Sequence, residues 1–442
     1  MSEQKEFSPT YRNYALGILF VGYIVNFVDR SILSLLLEPI KLELSLTDSQ
    51  LGLLGGLAFA LFYTFLGIPI AALADRRSRV KILAVSMVIW SAMTALCGLA
   101  INFWTLLLAR IGVGVGEAGA SPPSHSLISD YFPIEQRATA LSIYALGIPF
   151  GTMIGSYVGG WGADTIGWRN TFFLVGLPGI FVAMVILFTL REPPRGMSDG
   201  KLSAAQAPKA ASPEAPAVKE VLNFLWGKVS FQHLAFAAGL HAFVSYGAGT
   251  WNAPFFTRIH EMSSTDLGAA LALVAGIGAV GTFGGGYLSD KLSERTGDKR
   301  WYFWVPGIAT AVMVPFQLIA YLYDGTVAAI ASLCLVGILG SAYLGPSFAM
   351  TQALVSLRMR AVASAILLFV LNLIGMGLGP YFIGILSDLF NPTFGYESIR
   401  YALCVAVLVN LWAGIHYFLG ARTMRGDLLD TEALNERLAK AS

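Results

Sequence analysis

The stretch Arg110–Pro133, RIGVGVGEAGASPPSHSLISDYFP, decides how the whole chain is read. It begins inside an apolar run and places Glu117 where a bilayer-spanning helix would be at mid-depth. An acid at that depth costs about 2.5–3.5 kcal/mol on insertion scales, so an intramembrane carboxyl is read first as functional. Arg110 lies two helical turns earlier and so on nearly the same face. Gly112, Gly114 and Gly116 between them would let neighbouring helix backbones approach closely. A dinucleotide-binding glycine loop would follow a strand, and none is predicted here. The structural alternative is an Arg–Glu pair that only joins helices.

Composition supports a membrane reading. Of 442 residues 55% are hydrophobic and 13% charged, and the apolar runs are long enough to cross a bilayer. A net charge of +2 gives no reason to expect nucleic acid. The three cysteines, Cys97, Cys334 and Cys404, all lie in apolar runs and read as small buried hydrophobes, not as a disulfide or metal framework. The first dozen residues are polar and no small-residue cleavage site follows, so no signal peptide is expected. The absence of an Asn-x-Ser/Thr acceptor leans towards a bacterial source.

Twelve spans are predicted, near 13–36, 50–74, 82–101, 104–129, 137–162, 170–190, 232–256, 266–289, 302–323, 326–354, 362–387 and 399–420. The Lys-, Ala-, Pro- and Ser-rich segment 192–218 reads as a disordered linker. Val218–Lys228 has the composition of an interfacial helix, and the tail from Thr423 that of a short soluble helix. Of the 29 Lys and Arg, only Lys41, Arg169, Arg258 and Arg400 fall outside, and Arg30 and Arg110 within the membrane, when both termini are placed in the cytoplasm. That bias is the positive-inside pattern.

One pentad recurs at matching places. AALAD ends at Asp75, GWGAD at Asp164, GYLSD at Asp290 and GILSD at Asp388, closing the second helix of each group of three. The orientation puts Asp75 and Asp290 in the cytoplasm and the other two outside, so neighbouring triplets are inverted.

Several residues follow as site candidates. Asp29 and Arg110 lie at similar depth, which makes a contact plausible, while Arg30 points about 100° from Asp29 towards some other partner. The alternative is that Asp29 and Arg30 satisfy each other or snorkel. In ALADRRSRVK, Asp75 with Arg76 and Arg79 could latch the cytoplasmic side, with Asp290 in the matching turn of the second half. Gly147, Gly151, Gly155 and Gly159 form a flat face that could pack between the halves. The second half has no charge inside its spans and offers His241, Ser245, Tyr246, Asn252, Tyr343, Ser347 and Asn372. Asn26 and Tyr144 are cavity candidates in the first half. Each of these polar residues could equally be a helix-packing hydrogen bond.

The two six-span halves, the ALADRRSR turn, the glycine face and GWR at Gly167–Arg169 resemble the major facilitator superfamily, although Ala71 and Ser78 stand where that family commonly has glycines. NFVDRSIL (Asn26–Leu33), the Arg110–Pro133 stretch and GWRNTFF (Gly167–Phe173) look like its spinster branch. That resemblance implies a lysophospholipid or sphingoid substrate. It implies Asp29 and Glu117 as proton-coupling acids, Arg110 as their charge partner, Arg30 as a cavity residue and Asp75 as part of the cytoplasmic gate.

The expectation is an all-α membrane protein of twelve transmembrane helices with inverted three-helix repeats. Its halves are 1–191 and 219–442, the second ending in a cytoplasmic tail, joined by the cytoplasmic linker 192–218. It would sit in a bacterial inner membrane and move an amphipathic lipid-like solute by proton-coupled alternating access, with protons and membrane lipid as its other partners. No cofactor, metal or catalytic residue is expected. The alternatives are a proton-driven exporter of lipophilic drugs and a membrane enzyme acting on lipids. Against the enzyme, no HExxH pair, nucleophile–base set or phosphate loop is found.

Overall fold

The computed structural model describes residues 7–74, 76–198 and 217–441. Asp75 and the linker residues 199–216 lie outside the described residues.

The described residues form helices at all twelve predicted spans. Seven of the spans are a single helix: Pro9–Leu44, Arg79–Cys97, Gly167–Thr189, Val229–Ile259, Ser264–Thr296, Trp301–Leu322 and Ser398–Ala441. The others are broken. Span two is Asp48–Gly55 and Leu57–Ala74, span four Phe103–Glu117 and Ser121–Tyr131, and span five Ile134–Ala145 and Gly147–Thr165. Span ten is Thr326–Ser341 and Leu344–Ala353. Span eleven runs Arg360–Val370, then a π-helical Leu371–Leu378, then Gly379–Phe394. The C-terminal tail continues span twelve instead of forming a separate helix.

The ends are set locally. Ser8 caps span one by accepting from Tyr11 N–H, with Pro9 in the first turn, and Ser45 closes it in the left-handed conformation at φ 52°. Span one therefore runs past its expected edge. Thr47 with Gln50 and Asn102 with Thr105 form reciprocal caps at the starts of spans two and four. Span four breaks after Glu117 because Pro122 and Pro123 have no N–H to continue the ladder.

The helices cluster into two compact units. The first contains Met1–Leu46, Ala58–Ser212 and Ser263–Ala272. In it span one packs on spans five and six, and span three on spans four and six. The glycine face of span five lies against span one, not between the halves as expected. A Cβ at Gly151 would be 2.6 Å from the carbonyl of Ile24, and one at Gly155 2.7 Å from that of Val28. The start of the linker is also ordered, against the compositional expectation. Glu192 accepts from Arg79 Nε at 2.7 Å, Ser78 Oγ at 2.8 Å and Val80 N–H at 3.0 Å. Arg195 donates to the carbonyl of Ala74, and Gly196 N–H to Asp130. Burial pushes the Glu192 carboxyl up, but these donors outweigh it and hold the group below its ordinary range.

The second unit contains Thr47–Leu57, Pro213–Met262 and Leu273–Ser442. Its centre is span twelve, packed against spans seven, nine and eleven. The amphipathic helix Val218–Trp226 buries Val221 and Leu225 against this core.

Two of the repeated aspartates do matching work. In the first unit Asp164 accepts from the N–H groups of Ser264 and Thr265, at 3.3 and 2.7 Å, at the start of span eight. In the second, Asp388 accepts from those of Asp48 and Ser49, at 2.9 and 2.7 Å, at the start of span two. Each carboxylate satisfies helix N-terminal donors that would otherwise lack partners.

Candidate transport site

In the first unit, span one brings Asn26, Asp29 and Arg30 to the facing residues of spans three and four. Arg30 Nε donates to Glu117 Oε2 at 2.5 Å. Asp29 Oδ1 lies 3.9 Å from Arg110 Nη1, and Thr94 donates to Asp29 Oδ2. Depth had matched Asp29 with Arg110, and the structure places them together. The spacing of Arg110 and Glu117 suggested a mutual pair, yet Glu117 takes Arg30 as its close partner. Two acids and two arginines balance in charge, which lets such groups persist away from water.

The pairing is uneven. Glu117 is held tightly through one oxygen, whereas its Oε1, Asp29 Oδ1, Arg110 Nε and Nη1 and both polar atoms of Asn26 are buried without a hydrogen bond. Buried polar atoms are nearly always partnered, and this concentration singles the cluster out as the candidate site.

The glycines of span four serve this cluster. A Cβ at Gly114 would be 2.8 Å from the carbonyl of Phe59, and one at Gly116 2.5 Å from Trp90 N. Their absence lets spans two and three close on span four beside Arg110 and Glu117. Tyr144, also in this unit, is fully buried and stacked on Tyr23 at 4.2 Å.

The second unit contains a cavity of about 350 Å³ walled by spans seven to ten. Tyr246, Asn252 and Tyr343 line it, as do Ser245, Gln317 and Tyr321, which sequence reasoning did not select as site residues except Ser245. None of its lining residues is charged. Within its wall Tyr321 donates to Asn252 Oδ1 at 2.8 Å, and behind it Asn410 donates to Gln317 at 3.0 Å. His241 does not line it. That ring is fully buried, with one nitrogen 2.9 Å from Thr310 Oγ1 and the other 2.8 Å from the carbonyl of Gly340. Asn372 lies apart from the cavity at the start of the π-helical turn.

The turn after span two was expected to act as a cytoplasmic latch, and its Asp75 lies outside the described residues. Arg79 is buried and bound within the first unit to Asp130 and Glu192, while Arg76 is exposed. Asp290 is exposed and accepts from Tyr302 at 2.6 Å. Sequence reasoning missed a buried pair in the second unit: Arg258 grips both oxygens of Asp48 at 2.7 and 2.8 Å, and Ser387 donates to the same carboxylate. Only the capping box around Thr47 hinted that this turn was fixed. Among the described residues no cluster of three metal-binding side chains occurs.

Known proteins share this fold. The Major Facilitator Superfamily profile matches residues 19–380. An MFS-type efflux pump of Mycolicibacterium smegmatis is 30% identical over 422 residues, covering 94% of each chain. The sphingosine-1-phosphate transporter SPNS2 of Danio rerio is 26% identical over 440 residues, covering 92% of this chain and 83% of its own. The crystal structure of a bacterial homologue of the human lysosomal transporter spinster, inward-facing and unoccupied, is 35% identical. It matches with a TM-score of 0.86 over 95% of this chain and 99% of that one. The fold and the relatives are those of transporters, not of enzymes acting on lipids. This multi-pass membrane protein belongs to the major facilitator superfamily and, within it, resembles the spinster transporters.

Proposed function

We propose that this protein is a proton-coupled carrier of an amphipathic, lipid-like solute of the sphingoid or lysophospholipid class, working by alternating access. The observation that carries the reading is the coexistence of two chemistries in one chain. The first unit has an underbonded cluster of ionisable groups, and the second an uncharged, aromatic cavity of about 350 Å³, within the usual ligand-pocket range.

Protons would enter at Asp29, whose second oxygen has no hydrogen bond and whose arginine stands at the limit of ion pairing. Glu117, bound to Arg30, would follow when that pair opens. The halves 1–191 and 219–442 would move about the linker, with both termini in the cytoplasm of a bacterial inner membrane. A second reading, export of lipophilic compounds, is favoured by the efflux-pump relative.

Uptake into proteoliposomes tests both. A lysolipid, a sphingoid base, a lipophilic cation and a sugar are compared with and without a pH gradient. Asp29→Asn and Glu117→Gln should each abolish gradient-driven accumulation, and Asp29→Asn should leave counterflow. If both variants keep full proton-driven accumulation, the cluster is a structural ion pair and the coupling reading fails.

A further inference from the structure

The Arg30 guanidinium is surrounded by more than its acid. It lies over three rings, 5.0 Å from the centre of Phe27, 5.1 Å from Phe59 and 4.6 Å from Tyr63. An ion pair needs no such enclosure. Cations are attracted to aromatic faces, and a box of rings is a common recognition set for ammonium ions.

The enclosure is built into the helices. Phe27 is one turn before Arg30 on span one, and Phe59 and Tyr63 stack one turn apart on span two at 5.4 Å. Gly114 fixes Phe59 from behind, since a Cβ there would strike its backbone. The guanidinium is also the accessible member of its pair. The Arg30 side chain is 20% exposed, while that of Glu117 is 0% exposed and still has an unused oxygen. Arg30 can therefore leave without dismantling the rings or the acid.

We propose that Phe27, Phe59, Tyr63 and Glu117 form an ammonium-binding site that Arg30 fills, in this conformation, as a tethered competitor. Its ligand is the primary or quaternary ammonium head of the carried amphiphile, so the inference rests on the transport reading above and narrows its substrate. The incoming ammonium displaces the guanidinium, and Glu117 takes its proton once the ammonium has left. Heads bearing only negative charge cannot make that exchange and are discriminated against.

The test is equilibrium binding of tetraethylammonium, a cation without a chain, to the full-length protein in lipid nanodiscs. Arg30→Ala should bind it at least about tenfold more tightly than the wild-type chain, because the competitor is gone. Adding Tyr63→Leu to that variant should return the affinity to the wild-type level. Equal affinity in Arg30→Ala and wild type overturns the proposal. If Arg30→Ala does not fold, Tyr63→Leu alone decides. It should lower the preference for lysophosphatidylcholine over lysophosphatidic acid by about tenfold, and an unchanged or absent preference overturns the proposal. Tetraethylammonium binding stands even if no lipid is carried, whereas proton-driven lipid uptake that ignores the ammonium group spares the transport reading and removes the cage.

Discussion

The first unit buries Asp29, Arg110 and Glu117 and leaves several of their polar atoms unbonded, whereas the second surrounds an uncharged cavity in whose wall Asn252, Gln317 and Tyr321 are hydrogen-bonded. In the cavity wall Asn252, Gln317 and Tyr321 all have partners, so it can hold an apolar body without reorganising. In the charged cluster each change of proton or partner alters the energy of its neighbours, because interactions between charges are strong away from water. On the proposed function, the difference is that between a receptacle and a switch.

The largest effect expected from this contrast is in stability. Arg110→Ala leaves the buried Asp29 without its nearest cation and should cost about 3–5 kcal/mol, read as a lower unfolding temperature. Asn252→Ala, which removes one hydrogen bond from the cavity wall, should cost only about 1 kcal/mol. Equal losses would erase the distinction between the units.

Filling the cavity sharpens it. Gly249 lines the cavity, and a Cβ there meets nothing within 4 Å. Gly249→Leu should weaken binding of a long-chain substrate by about tenfold, or 1.4 kcal/mol. Replacing a helical glycine should at the same time raise thermal stability by roughly 0.5–1 kcal/mol. Unchanged substrate affinity would move the chain-binding site elsewhere.

The matched aspartates allow a finer comparison. Asp388→Ala and Asp164→Ala should each cost about 1 kcal/mol locally, by analogy with the loss of a helix cap. Hydrogen exchange should quicken at Asp48 and Ser49 in the first variant and at Ser264 and Thr265 in the second. Protection lost at both sites in either variant would show the two units to be coupled there.

The smallest effect concerns the strap after span six. Glu192 has a folded-state value below its ordinary one, so its contribution is complete above the unfolded carboxyl range and declines only as pH falls through the lower folded value. Acidification from pH 7 to about 5 should leave proteolysis at 191–198 unchanged, since ordinary glutamates titrate near 4.3. Glu192→Gln should raise cleavage at pH 7.

Much of the fold was legible. Apolar run length gave the twelve spans, since a helix must cover the hydrocarbon thickness. The repeated pentads marked equivalent helix ends, and two of them proved to hold equivalent helix starts. Nine helical segments among the described residues meet a strict length-and-hydropathy criterion. Spans four and seven fall short of it, and eleven and twelve run together in one segment. The cluster was less legible. Asp29 and Arg110 could be joined by depth, but the assignment of Glu117 to Arg30 depends on how two helices rotate against each other. The cage was missed because Phe27, Phe59 and Tyr63 look like any other membrane aromatics until a cation lies among them. His241 stood out as a rare polar residue in an apolar run and proved to be satisfied on both nitrogens.

By itself the sequence determined the number of spans, the gathering of mid-depth charges in the first half, and the residues whose burial is costly enough to demand a role. These follow from transfer free energies and helix geometry, which act locally along the chain. The tertiary structure alone decided which acid takes which arginine, which aromatics enclose a cation and which polar residues face open space. Partner choice in a packed interior depends on helix rotation and on close approaches permitted by Gly114, Gly116 and Gly151, and neither is a property of any one segment.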